Sequence, residues 1–172
     1  MISLQTEYPR QTVCCFTGHR PAKLPWGSRE SDPRCLELKS RLYDVVDALY
    51  WSGIRHFICG MAMGTDTYCC EAVLRLKREH PEITLEAALP CGNQADGWYS
   101  EARRRHEELL SRCTAVTVLQ ETYSPGCMQR RNQYMVSRSS VLVAVFDGSA
   151  GGTRDTIRRA EKEGLEVIAL QP

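Results

Sequence analysis

Six short, β-branched apolar runs recur along the chain with helical patterns between them, and few folds accommodate that alternation. The runs are Thr12–Phe16, Ile54–Cys59, Ile83–Leu89, Ala115–Leu119, Val141–Phe146 and Leu165–Leu170. Most are almost continuously apolar, as expected of strands covered on both faces; a strand with one wet face would alternate. Between them Leu38, Leu42, Val45 and Leu49 recur at helical spacing, as do Cys69, Val73 and Leu76, and Leu109, Leu110 and Cys113. Gly53 and Gly164 stand just before strands, where a helix stop is expected. The pattern predicts an α/β fold, a three-layer sandwich around a mainly parallel sheet. With 172 residues and no repeat or linker, residues 1–172 are expected to form one domain.

In such a sheet the strand-to-helix loops emerge at the carboxyl edge, where ligands bind. Three of these loops carry glycine: Thr17-Gly18-His19-Arg20, Gly60-Met61-Ala62-Met63-Gly64-Thr65-Asp66 and Gly148-Ser149-Ala150-Gly151-Gly152-Thr153. Glycine lets backbone approach a ligand closely, and a helix N-terminus offers unpaired N–H groups and a dipole that favours phosphate. Three such loops at one edge point to a nucleotide-like ligand. The formal charge of +1 gives no general pull toward nucleic acid or membrane, so an anion site must be local.

Within the first loop, Arg20 can fork onto a phosphate or carboxylate, and His19 can donate to a ligand or titrate near neutrality. A turn with solvated charges is the plainer alternative. In the second, Gly60 and Gly64 flank a tight turn through Met61, and Thr65 or Asp66 can cap the following helix. Asp66 is equally suited to ribose hydroxyls or a neighbouring loop. The Gly-x-x-x-Gly spacing departs from the dinucleotide fingerprint, and no Walker lysine follows a glycine loop, which disfavours hydride transfer and P-loop hydrolysis. In the third, adjacent Gly151 and Gly152, with Gly148 and Thr153, can form a concavity of N–H groups for phosphate.

Three further segments carry candidates. After the third strand, Trp98 can stack on a base while Gln94 reads its edge, although a tryptophan anchoring the next helix is the preferred reading. Arg103-Arg104-Arg105-His106 occupies successive helix positions, so it points in several directions and reads as a solvated face. Met128, Arg131 and Met135 share one helical face, and an arginine on a core-facing stripe wants an anionic partner. Asn132 diverges from Arg131 by one helix position. The stretch Pro21–Pro33 reads as a long loop beside the first glycine turn, either a binding loop or a surface excursion.

Nine cysteines, several inside apolar runs, read as buried reduced thiols in the absence of an export signal. His56-x-x-Cys59 has no second ligand pair, so no metal is expected, and no cofactor beyond the ligand itself. The N-terminus lacks the basic start and apolar core of a secretory signal, and no run reaches membrane-spanning length; a cytoplasmic location is expected.

Taken together, Phe16-Thr17-Gly18-His19-Arg20-Pro21, Gly60–Asp66, Pro90 with Gln94 and Trp98, Arg131-Asn132-x-x-Met135-Val136, and Gly151-Gly152-Thr153 resemble the SLOG superfamily. These Rossmann-like proteins include the LOG nucleotide hydrolases and DprA, and the chain is most similar to the YpsA-like branch. The resemblance, from about Thr12 to the C-terminus, implies a nucleotide or nucleotide-derived small molecule at the glycine loops. LOG enzymes cleave base from ribose 5′-monophosphate with an arginine in Met-x-x-Arg-Lys and a glutamate after the phosphate loop. Here Met128-x-x-Arg131-Asn132 keeps the arginine, asparagine stands for the lysine, and Thr156 stands where the glutamate is expected. Threonine cannot replace a carboxylate in that chemistry, and Asp155 is turned away by about 100°. A binding or sensing module without LOG-type catalysis is therefore the leading expectation. The alternatives are a divergent nucleoside-monophosphate glycosidase using Asp66 or Asp147, and a DprA-like binder of single-stranded nucleic acid. The resemblance also suggests a homodimer, by analogy.

Overall fold

A computed structural model describes residues 7–172; residues 1–6, most of the segment expected to lack an export signal, lie outside the described part. The chain runs β1 (Val13–Gly18), α1 (Pro33–Trp51), β2 (His56–Cys59), α2 (Thr65–Lys77), β3 (Thr84–Leu89), α3 (Ser100–Arg112), β4 (Ala115–Val118), α4 (Cys127–Arg138), β5 (Val141–Val145), α5 (Gly152–Lys162) and β6 (Glu166–Leu170). All six strands join one parallel sheet in the order β4-β3-β2-β1-β5-β6. Each expected strand is present, within a residue or two of its expected bounds, in the Rossmann-like α/β fold that the alternation predicts. No helix among the described residues is long and apolar enough to cross a membrane.

Strand periodicity sorts the core into two layers. On one face Cys14, Phe16, Phe57, Leu85 and Val143 pack with α1, α2 and Leu109 of α3. On the other, Val13, Cys15, Ile58, Leu142 and Ala144 pack with Met135 and Val136 of α4 and Ile157 and Ala160 of α5. β1 is therefore apolar at consecutive positions because both its faces are covered. The exceptions are the two edge strands: in β4 Val116 and Val118 are nearly half exposed, and β6 has no fully buried residue.

Helix starts follow from local chemistry. Asp32 accepts the Arg34 N–H at 2.9 Å, and Pro33 occupies the first turn, so α1 begins where the Pro21–Pro33 loop ends. Its buried stripe is Cys35, Leu38, Leu42, Val46 and Leu49; Val46, not the expected Val45, continues the four-residue step from Leu42. All nine cysteines are free, eight of them buried and Cys113 partly exposed. His56 is engaged by Thr84 at 2.7 Å and by buried Glu86 at 3.0 Å.

Candidate functional site

Successive strands are added outward on one side of β1 until the chain crosses to β5 on the other. Between β1 and β5 the loops after the strands diverge and leave a crevice at the carboxyl edge. A cleft of about 390 Å³ opens there, bounded by the β1 and β5 loops, the start of α2, and one face each of α4 and α5. Gly18, His19, Arg20, Asp66, Arg131, Asn132, Gly151, Gly152 and Thr153 all line it, so residues from four distant segments of the candidate set converge. Gly60, Met61, Gly64, Gln94 and Gly148 do not line it.

The first two loops are joined by Thr65. Its Oγ1 donates to the His19 carbonyl at 2.9 Å and its N–H donates to the same oxygen at 3.2 Å. A Cβ on Gly18 would run into the Thr65 side chain, so glycine there is a packing requirement. The expected cap by Thr65 or Asp66 is not formed: Gly64 takes the N-cap position with no side-chain cap, because Thr65 is committed to the neighbouring loop. The Asp66 carboxylate turns back to accept the Ala62 N–H at 3.0 Å.

His19 is buried, with Nε2 2.8 Å from Asp147 Oδ1. Asp147 also accepts the Ser149 N–H at 2.9 Å. The Ser149 bonds, helped by His19, hold the Asp147 carboxyl well below the usual carboxylate range. His19 thereby ties the β1 loop to the β5 loop. Gly148, at φ +91°, turns the chain between Asp147 and the cleft wall without lining the cleft.

Arg131 is 4% exposed. One terminal nitrogen donates to the Gly60 carbonyl, and Nε donates to Asn132 Oδ1 at 2.9 Å. The other terminal nitrogen meets only the Met128 sulfur at 3.9 Å, a weak partner. Gly60 is glycine because a Cβ would collide with this guanidinium. The expected anionic partner is Asp66, which acts on Arg131 through space rather than in an ion pair. Burial pushes Arg131 down and Asp66 up, and each opposes the shift of the other.

Asn132 and Thr156, the two positions that depart from the LOG pattern, meet. Asn132 Nδ2 donates to Thr156 Oγ1 at 3.0 Å, and Thr156 Oγ1 donates to the Gly152 carbonyl at 2.9 Å. A neutral pair occupies this part of the wall. Asp155, set aside on helix geometry, does line the rim of the cleft: at the first turn of α5 a one-residue rotation is not enough to take it out of the opening.

Two cations escaped the sequence reading. Lys23, from the Pro21–Pro33 loop, donates to Ala150 O at 2.7 Å and lies over Gly151, where a Cβ would sit 2.9 Å from its Nζ. Arg159 of α5 lines the cleft seven positions after Gly152. The proximity of Lys23 to the first glycine turn was a usable signal; Arg159 gave none beyond helical spacing from the loop. With Arg20 and Arg131, four cations face two lining carboxylates, Asp66 and Asp155. The near-neutral chain thus concentrates positive charge at one place.

Gln94 is not among the residues that line the cleft. Its Nε2 reaches the Gly60 carbonyl at 3.3 Å, and its Oε1 is buried without a partner. It supports the β2 loop from behind. Trp98 lies edge-on to His106 with centroids 5.1 Å apart, in a neighbouring hollow.

Because burial raises the Asp66 carboxyl, its ionisation costs folding free energy at neutral pH. A folded-state pKa above the unfolded value gives a contribution fully present below the ordinary carboxylate pKa, about 3.9, and lost as pH rises through the folded value. Asp66→Asn keeps an acceptor for Ala62 and removes that cost. The variant should melt above the parent at pH 7, with the gap closing as pH falls toward 4. A parent that is the more stable at pH 7 would show that Arg131 outweighs burial.

The YspA SLOG family model matches residues 14–166. The chain is 33% identical over 156 residues to the SPbeta prophage-derived protein YoqJ of Bacillus subtilis, covering 82% of this chain and 91% of YoqJ. It is 27% identical over 158 residues to a UPF0398 protein of Bacillus thuringiensis, covering 90% and 85%. Among solved structures, DNA processing protein A from Streptococcus pneumoniae superposes with a TM-score of 0.63 at 17% identity, and that from Helicobacter pylori with 0.62 at 15%. These cover 92% and 93% of this chain but only 50% and 65% of theirs, and at such identity they show the shared fold. The family match runs from β1 to the start of β6 and takes in every loop of the cleft, and the chain belongs to the YspA SLOG family.

Proposed function

We propose that the cleft binds a nucleotide or nucleotide-derived small molecule through its phosphate, without LOG-type base cleavage. The observation that carries this reading is the buried Arg131. Arg131 lines the cleft together with Arg20, Lys23, Arg159 and the Gly151-Gly152-Thr153 turn, and one of its terminal nitrogens has only the weak Met128 sulfur as a partner. In this reading Arg131 and Arg20 offset phosphate charge, Thr153 and the N-terminal N–H groups of α5 hold phosphate oxygens, and Asp66 accepts from ribose. The neutral Asn132–Thr156 pair supports binding without cleavage, since it holds no carboxylate where the LOG pattern places one.

A thermal-shift panel with AMP, ADP, ATP and a short single-stranded oligonucleotide tests it. A ligand at about 100 times its Kd adds roughly 2.7 kcal/mol of stability, a rise of roughly 5–11 °C for a domain of this size. Selective stabilisation by one mononucleotide is the expected result, and a flat panel counts against the reading. A second reading is binding of single-stranded DNA, which the H. pylori neighbour is described as doing. It requires that the oligonucleotide alone stabilises, with affinity falling steeply as salt rises.

A further inference from the structure

A second cavity, of about 470 Å³, lies beside the first and is within the size range of small-molecule sites. The two are separated by a septum made of the β1 and β2 loops, whose residues face the two sides in turn. Arg20, Ala62 and Asp66 line the cleft, whereas Pro21, Met61, Met63 and Gly64 line the second cavity. The far wall is α3 with the segment before it, carrying Trp98, Tyr99 and His106.

The chemistry of this cavity differs from that of the cleft. Its lining cations, Arg104 and Arg105, face three acids, Glu30, Glu101 and Glu108. Arg105 is already held by Glu30 at 2.9 Å and by Glu71 at 2.8 Å. The hollow therefore does not attract phosphate. It offers instead the rings of Trp98, Tyr99 and Tyr68 with the thioethers of Met61 and Met63, groups that pack on the faces of planar rings. Ser28 and Thr67 supply polar atoms for the edges of a heterocycle.

Two details set this hollow apart from an incidental gap. Met61 has φ +60°, alone among the non-glycine residues described, a conformation disfavoured for residues with side chains and concentrated at ligand sites. Trp98 and His106 meet edge to face with centroids 5.1 Å apart, so the aromatic wall across the cavity from Met61 is itself packed in place. Tyr99, also lining the cavity, is 58% exposed.

We infer that this cavity is a second binding site, for a neutral planar heteroaromatic group of nucleobase size lacking phosphate, with Trp98 as its stacking surface. The test is titration of the full chain with adenosine, cytidine and guanosine while observing tryptophan indole N–H signals by NMR. The chain has three tryptophans, so the signals are few, and Trp98→Phe assigns the one of interest. Trp51, 71% exposed at the end of α1, serves as an internal control. The expected result is a saturable shift of the Trp98 signal with the Trp51 signal unmoved. Trp98→Ala should weaken nucleoside affinity about fivefold or more, measured by calorimetry, in line with loss of one stacked ring. Ala102→Phe, which fills the cavity from α3 and leaves the Trp98 ring in place, should weaken it likewise. Arg131→Ala, in the other cleft, should leave it unchanged. The inference is overturned if no nucleoside shifts the Trp98 signal at millimolar concentration. It is equally overturned if binding survives both cavity variants, or if it is lost in Arg131→Ala.

Discussion

Arg131→Ala should weaken binding of the nucleotide that stabilises the protein by about 1.5–3 kcal/mol, the cost of one charged hydrogen bond and roughly ten- to a hundredfold in Kd. The guanidinium is the only cleft cation that is buried rather than exposed or half-exposed, and it is held in place by the Gly60 carbonyl and by Asn132. A ligand therefore meets a preorganised fork and loses little entropy in ordering it. Arg131→Lys should behave nearly as badly, because a single ammonium cannot reach Gly60, Asn132 and a phosphate together. Free-protein stability should fall by less than a buried ion normally implies. Alanine removes a charge whose burial is costly, and Gly60 keeps Gln94 as a donor. The remaining cost falls on Asp66, which loses its opposing cation. Calorimetric titration separates the effects, and an unchanged affinity would take Arg131 out of the ligand site.

The legible part of this molecule was the part set by periodicity. Near-continuous apolar runs such as Val141–Val145 need cover on both faces, and that requirement reaches the layered parallel sheet, though not its strand order, without any tertiary knowledge. Glycine positions and the Met128–Arg131–Met135 stripe likewise brought most of the cleft into view. What stayed hidden depends on which side of a loop a residue faces. Met61 and Gly64 lie within five residues of Ala62 and Asp66, yet they line a different cavity, and only the turn geometry decides this. Gln94 lies off the cleft for the same reason, its amide reaching the Gly60 carbonyl. Lys23 was hidden because its role depends on a contact with Ala150, 127 positions away. His19, read as a ligand donor or a solvated turn residue, is instead buried against Asp147 of this chain.

Gly64→Ala should lower the melting temperature by roughly 4–16 °C, the effect of about 2–4 kcal/mol in a domain of this size. Gly64 has φ +87° and ψ −125°, a region that residues with a side chain rarely enter. Strain there adds to a collision, since the new Cβ would lie 2.9 Å from the His19 carbonyl oxygen and 3.0 Å from Pro21 Cδ. Neither neighbour can yield cheaply. The His19 oxygen is fixed by two hydrogen bonds from Thr65, and Pro21 begins the short turn Pro21–Lys23 that delivers Lys23 to the β5 loop. Gly97→Ala is the matched control, with no positive φ and no atom within 4 Å of its added Cβ, and should melt within a degree or two of the parent. The septum between the two cavities is the element that must give way in Gly64→Ala. A variant that does fold should therefore lose affinity at the cleft as well, through displacement of His19 and Arg20. An unchanged melting temperature would mean the β1 and β2 loops are not held against each other, and the convergence of the cleft residues would lose its structural basis.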